Sequence, residues 1–375
     1  MHMENTNSGS KKKLVFVGLS GGVDSSVAAY LLKKDGYDVV GVHLRCWNVD
    51  GCDVREAEDA RRVANKLDIP FYVFDMEKEY EAKVVEYMIQ GYRNGITPNP
   101  DVACNREIKF GLFMDRAMEM GADYVATGHY VKIAKSGDGF SLFEAKDKNK
   151  DQSYFLWTLT QRQLKRCLFP LGDYIKPEVR TIAKEAGLPT AAKKDSQGIC
   201  FIGKVTIADF LSKYIPEEKG NVLNVKGEKV GEHNGAQFYT IGQRHLGVNL
   251  RHPHIGVPGP KDTRPVYVSD KDVRTNTLVV AEGEDNPVLY RNEVDLSDVN
   301  VINRKSDMSD KGGVPVMARV RYRQRLSEAT LTTGSDGTSR LAFNHPQKFV
   351  ALGQSAVFYS KEGEMLGGGT IIGSA

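Results

Sequence analysis

Leu14-Val15-Phe16-Val17-Gly18-Leu19-Ser20-Gly21-Gly22-Val23-Asp24-Ser25-Ser26 is the stretch that decides the fold. Its continuous apolar run reads as a strand buried on both faces. The run ends in paired glycines that open directly into a helical pattern through Ala28, Ala29, Leu31 and Leu32. Working outward, residues 39–44, 71–74 and 124–126 read as further buried parallel strands. Ala60, Val63, Ala64 and Leu67 fall at helical spacing, with Glu56, Glu58 and Asp59 in the opening turns, where the helix dipole favours acidic groups. Pro177 starts another helix through Val179, Ile182, Ala183 and Ala186, closed by Gly187. Strands alternating with helices in this way predict an α/β fold with a doubly wound parallel sheet.

Past Tyr214 the helical periodicity fades, and short strands are punctuated by turns such as Lys226-Gly227, Asp336-Gly337 and Glu362-Gly363. The expected division is a catalytic domain over 1–213, a small central β domain over 214–285 and a C-terminal β-barrel over 286–375. The 51 basic and 48 acidic residues leave a net charge of +3, too small to mark a nucleic-acid protein, so any basic surface must be local. No apolar run approaches the ~18 residues of a membrane span, which predicts no membrane partner. The N-terminus is polar, unlike a secretory signal. Five cysteines, an odd number, fit reduced thiols and a cytoplasmic location better than a disulfide framework.

Paired glycines at a helix N-terminus let backbone N–H groups approach an anion, so the Gly18 to Ser25 loop suits a phosphate. It carries neither a Walker loop nor a G-x-G-x-x-G fingerprint. Cys104 lies in Thr97-Pro98-Asn99-Pro100-Asp101-Val102-Ala103-Cys104-Asn105-Arg106, a proline-stiffened loop entering a helix, with Lys109 beyond. That setting favours the thiolate and hence a nucleophile. Cys200 follows Lys193-Lys194-Asp195-Ser196-Gln197-Gly198-Ile199, a loop on which a thiol can be loaded with sulfur and delivered. Cys46, Cys52 and Cys167 show no zinc spacing and read as structural. If residues 319–325 form a strand, the arginines at 319, 321, 323 and 325 share one face that can follow a phosphate backbone; a solvated strand face is the other reading.

The SGGVDSS segment resembles the PP-loop of ATP pyrophosphatases, a superfamily of amidating, lysidine-forming and sulfur-transfer enzymes. Eight ordered blocks narrow the choice: SGGVDSS, TPNPDVACNREIKF, ATGHY, KDQSYFL, DSQGICFIG, YTIGQRHLG, RYRQ and GQSAVFY. Together they resemble the tRNA-specific 2-thiouridylases, the MnmA family, over nearly the whole chain.

The resemblance implies an ATP- and Mg²⁺-dependent tRNA-uridine 2-sulfurtransferase that takes sulfur from a persulfide donor protein. It implies Cys104 as nucleophile, Cys200 as the persulfide carrier and Asp101 as an acid/base group at the target base. Gly18, Leu19, Ser20, Gly21, Gly22, Val23, Asp24 and Ser25, with Leu44 and Gly128, would hold ATP. Asn99, Pro100, Asp101, His129, Asp151, Gln152, Ser153, Arg321, Tyr322 and Gln354 would contact tRNA. Read locally, His129 is equally a satisfied polar residue at a strand end, and Asp151 equally a helix cap. The alternatives are a PP-loop ligase without thiol chemistry and a non-catalytic tRNA-binding module.

Overall fold

In the first strand, Val15, Val17 and Leu19 pack into one hydrophobic core and Phe16 into another, the alternation that a sheet covered on both faces demands. A computed structural model describes residues 12–46, 52–194, 206–248, 264–303, 313–334 and 338–375. The first sheet is built from β1 (Leu14–Gly18), β2 (Asp38–Arg45), β3 (Phe71–Asp75) and β4 (Tyr124–Ala126). The chain then makes a hairpin, β5 (Lys132–Ser136) and β6 (Gly139–Phe143), and returns to the sheet as β7 (Cys167–Leu168). The order is β3-β2-β1-β4-β7, all parallel. Helices Val23–Lys34, Cys52–Lys66 and Lys176–Glu185 cover one face, and the helical segments between 77 and 119 cover the other. The order reverses between β1 and β4, so the loops leaving these two strands flank the switch-point crevice where α/β folds bind ligands.

Strand β3 departs from expectation. It is an edge strand rather than a buried one, with Tyr72 and Val73 exposed by 46% and 40%, because among the described residues nothing pairs beyond it.

A second, four-stranded sheet comprises β8 (Gly220–Asn224), β9 (Lys229–His233), β10 (Val266–Asp272) and β11 (Thr277–Glu282) around Val222, Val268 and Leu278. The last six strands are β12 (Tyr290–Val301), β13 (Val314–Arg319), β14 (Ser327–Thr333), β15 (Ser339–Lys348), β16 (Ser355–Tyr359) and β17 (Glu364–Ser374). Pairing of β12 with both β15 and β17 closes them into a barrel, so no strand edge is left open in that ring. The β5–β6 hairpin of the first domain adds to the barrel sheet through β6 and β17. The first domain and the barrel are thereby joined by backbone hydrogen bonds.

The arginine stripe does not form. Strand β13 stops at Arg319, Arg323 has φ +63°, and the Gln324 amide donates to the Arg321 carbonyl, so residues 320–324 turn. Arg319 is buried, Arg321 half-buried beside Phe349, and Arg323 and Arg325 exposed. Among the described residues no helix is long and apolar enough to cross a membrane.

Candidate active site

The loop after β1 is held from within. The Ser20 amide donates to Ser25 Oγ (3.1 Å), and the Ser25 and Ser26 hydroxyls both donate to the Gly22 carbonyl (3.2 and 2.7 Å). Gly22 caps helix Val23–Lys34 with no side-chain acceptor, leaving the first-turn N–H groups to an anion. Gly21 has φ +70°, and a Cβ there would come within 2.4 Å of the Glu56 carbonyl oxygen. Gly128 is equally constrained, since its Cβ would meet the Ser25 nitrogen at 2.7 Å. The turn after β4 therefore seats directly against the loop. Leu44, near the end of β2, is half-buried against the core beneath helices 77–119.

Asp24 is not left facing an incoming anion. Lys176 Nζ donates to both its carboxylate oxygens (2.7 and 2.8 Å), and the Tyr130 hydroxyl donates to one (2.8 Å). Lys193 Nζ reaches the Gly21 carbonyl (3.0 Å) and Asp59 (2.7 Å). Behind the loop, His43 bridges the Leu19 carbonyl and Asp53 at 3.0 Å each. Burial pushes the neighbouring Glu56 carboxyl up, against the pull of Lys193 and His43.

Cys104 stands where helix Pro100–Ala103 widens into the π-helix Cys104–Leu112, a form common at functional sites. Asn99 caps the helix by accepting from the Val102 amide (3.3 Å), and Pro100 occupies the first turn, where its missing N–H costs nothing. The thiol is half-buried. Burial raises the Asp101 carboxyl above its ordinary value, with Lys109 pulling it down. The same helix packs on the anion loop: Phe113 lies 3.9 Å from where a Gly18 Cβ would stand. Cys200 lies outside the described residues.

The other expected RNA contacts divide. His129 is buried between Phe110 and Phe169 and bonded to Thr127 Oγ1 (2.7 Å); burial, reinforced by Lys109, holds it neutral. Asp151 and Ser153 are buried in the seam with the barrel, and Gln152 accepts from the Tyr130 amide (3.0 Å). Tyr322 packs against Phe155 with ring centres 4.5 Å apart and planes tilted by 49°. Gln354 donates to the Thr97 and Pro98 carbonyls (3.0 and 3.1 Å), beside the Cys104 loop. A cleft of about 440 Å³ between Gly139, Gln161 and Asn303 lies on the hairpin–barrel seam and away from these groups.

Three family models match in chain order: the tRNA methyl transferase HUP domain over 13–204, the tRNA methyl transferase PRC-barrel domain over 208–282 and the aminomethyltransferase beta-barrel domain over 291–371. The tRNA-specific 2-thiouridylase MnmA 1 of Geobacillus kaustophilus is 46% identical over 94% of both chains. The MnmA of Streptococcus thermophilus is 46% identical over 96% of this chain and 95% of its own, and that of Listeria monocytogenes 44% over 95% and 94%. The chain belongs to the tRNA-specific 2-thiouridylases.

In this member of the 2-thiouridylases, sequence reasoning missed Lys176, Tyr130, Lys193 and His43. Lys176 precedes a helix-opening proline and reads only as a helix start; nothing in its spacing places it on Asp24, 152 positions away. His43 meets the Leu19 carbonyl on one ring nitrogen and Asp53 on the other, a relation only the folded chain reveals.

Proposed function

We propose that the protein is an ATP-dependent tRNA-uridine 2-sulfurtransferase, a reading carried by 46% identity to 2-thiouridylases over 94% of the chain. The loop geometry and the placement of Cys104 support it. ATP docks its phosphates on the loop from Gly18 to Ser25, and Mg²⁺ arriving with the nucleotide shields their charge. The uridine C2 oxygen attacks the α-phosphorus and the bond to the β-phosphate bridging oxygen breaks. Pyrophosphate leaves, and C2 becomes electrophilic with AMP as its leaving group. First-turn N–H groups stabilise the charge that develops.

Sulfur arrives as a persulfide on Cys200 from a donor protein. In one route the terminal sulfur attacks C2, AMP leaves, and the Cys104 thiolate then cleaves the S–S bond, freeing 2-thiouridine. In the other, Cys104 first attacks the inner sulfur and releases hydrosulfide onto C2. Both end in a Cys104–Cys200 disulfide that an external thiol reductant clears. Either way the base must leave its stack to reach the site.

The test is mass spectrometry of nucleosides from unmodified tRNA incubated with protein, ATP, Mg²⁺ and a persulfide-loaded donor protein. ATP-dependent gain of 2-thiouridine is expected; pyrophosphate release without sulfur incorporation would favour a PP-loop ligase instead. Gly21→Ala is expected to weaken ATP binding at least about tenfold, because the left-handed backbone and the Glu56 carbonyl both oppose a Cβ. Titration calorimetry with ATP reads this, and wild-type affinity in the variant would remove the loop from the nucleotide site.

A further inference from the structure

His43 joins three pieces of the first domain behind the anion loop. It belongs to β2 and is only 3% exposed. Its Nδ1 lies 3.0 Å from the Leu19 carbonyl oxygen, and its Nε2 lies 3.0 Å from Asp53, in the first turn of helix Cys52–Lys66. The other Asp53 oxygen faces Arg45 Nε at 3.5 Å. That helix also abuts the loop directly, where the Glu56 carbonyl leaves no room for a Cβ at Gly21. A carbonyl oxygen can only accept, so Nδ1 carries a proton and donates to Leu19, however the proton between Nε2 and Asp53 is shared.

A trans peptide points its C=O and the following N–H in opposite directions. With the Leu19 carbonyl held on His43, the Ser20 N–H turns away from the ring and donates to Ser25 Oγ (3.1 Å), and that hydroxyl donates to the Gly22 carbonyl (3.2 Å). The Gly21 carbonyl is held in turn by Lys193 Nζ (3.0 Å). Donors therefore engage the carbonyls of Leu19, Gly21 and Gly22, and an anion approaching the helix N-terminus meets N–H groups instead of lone pairs. We propose that His43 is a positioning residue for the nucleotide: through the Leu19 carbonyl it sets the peptide planes of the loop so that their N–H groups face the ATP phosphates. Enclosed behind the loop, it acts through the backbone. The inference rests on the reading that this loop holds ATP, and adds the side chain that orders it.

Full-length His43→Asn and His43→Gln separate the two ring contacts. The Asn amide nitrogen takes the place of Nδ1 and still donates to Leu19, whereas that of Gln takes the place of Nε2 and keeps only Asp53. With the Leu19 carbonyl unbraced, titration calorimetry is expected to show ATP bound about tenfold more weakly by His43→Gln, and within about threefold of wild type by His43→Asn. The Kd for tRNA should stay within about twofold in both variants. A merely structural histidine would not separate the two, so equal losses would overturn the proposal, as would wild-type ATP affinity in His43→Gln. If tRNA binding weakens as well, the substitution has loosened the fold, and the wild type decides. Nitrogen NMR of the protein with isotope-labelled histidine is expected to show a proton on His43 Nδ1, and a ring protonated at Nε2 alone would overturn the proposal. If the wild type binds no ATP, the nucleotide reading falls, and the Nδ1 proton still decides whether His43 braces the loop.

Discussion

With sulfur delivered as a protein persulfide, Cys104→Ser is expected to abolish 2-thiouridine formation, a loss of at least about 10³-fold, while leaving pyrophosphate release near the wild-type rate. The two halves of the reaction draw on different parts of the molecule. In the proposed mechanism adenylation draws on the anion loop, its helix N-terminus and Gly128 seated against Ser25, none of which involves a thiol. Sulfur transfer needs a group ionised near neutral pH that can break or form an S–S bond, and a serine hydroxyl does neither. Serine is close to cysteine in size, so the junction of helix and π-helix that holds position 104 should be undisturbed. Cys200→Ser should match it when sulfur is delivered as a protein persulfide. Wild-type thiolation by Cys104→Ser would sink the thiol mechanism and leave a ligase that shares the loop.

Most of the fold was legible because the catalytic domain obeys local rules. Apolar runs became strands, paired glycines a loop, and Pro177 a helix start. What was not legible depended on distant partners. The edge position of β3 follows from sheet order, which an apolar run such as Phe71 to Phe74 does not encode. The arginines from 319 to 325 alternate as in a strand, but Gln324 folds back to accept from the Val320 amide (3.0 Å), and the strand ends. The same limit governs the site. Ser20 to Ser25 and Cys104 announce themselves through neighbours in the chain, whereas Asp151 and Ser153 read as tRNA contacts, or Asp151 as a helix cap, with nothing nearby to announce Arg319 and Tyr359 arriving from the barrel.

That arrival makes Arg319 the residue whose loss should cost most stability. Arg319 Nη2 donates to Glu144 (2.8 Å) and Asp151 (3.0 Å), and its guanidinium carbon lies 4.7 Å from the Tyr359 ring centre. Burial opposes the arginine's charge, but Tyr359, Asp151 and Glu144 more than offset it and hold the pKa above its usual value. Burial also pushes the Asp151 carboxyl up; it nevertheless accepts from the Ala145 amide, the Ser153 amide and hydroxyl, and Arg319, and four donors favour the ionised form at neutral pH. Arg319→Met leaves the buried Asp151 carboxylate without its cation, while Glu144 keeps Lys148 at 3.0 Å. Breaking one side of a buried ion pair costs about 3–5 kcal/mol, a large share of the roughly 5–15 kcal/mol that holds a domain together. The pH dependence identifies the cause. Without Arg319 the folded-state pKa of Asp151 rises further above its unfolded value, so the folded variant binds more protons and gains stability as pH falls through that raised value. Urea midpoints at pH 7 and pH 5 should therefore show the gap to wild type narrowing toward pH 5. Arg319→Lys, which keeps a charge but cannot span both carboxylates from a planar fork, should fall between them. A gap that stays constant across this range would mean the loss is one of packing around Tyr359, and that the barrel is held to the catalytic domain by shape and the β6–β17 pairing rather than by charge.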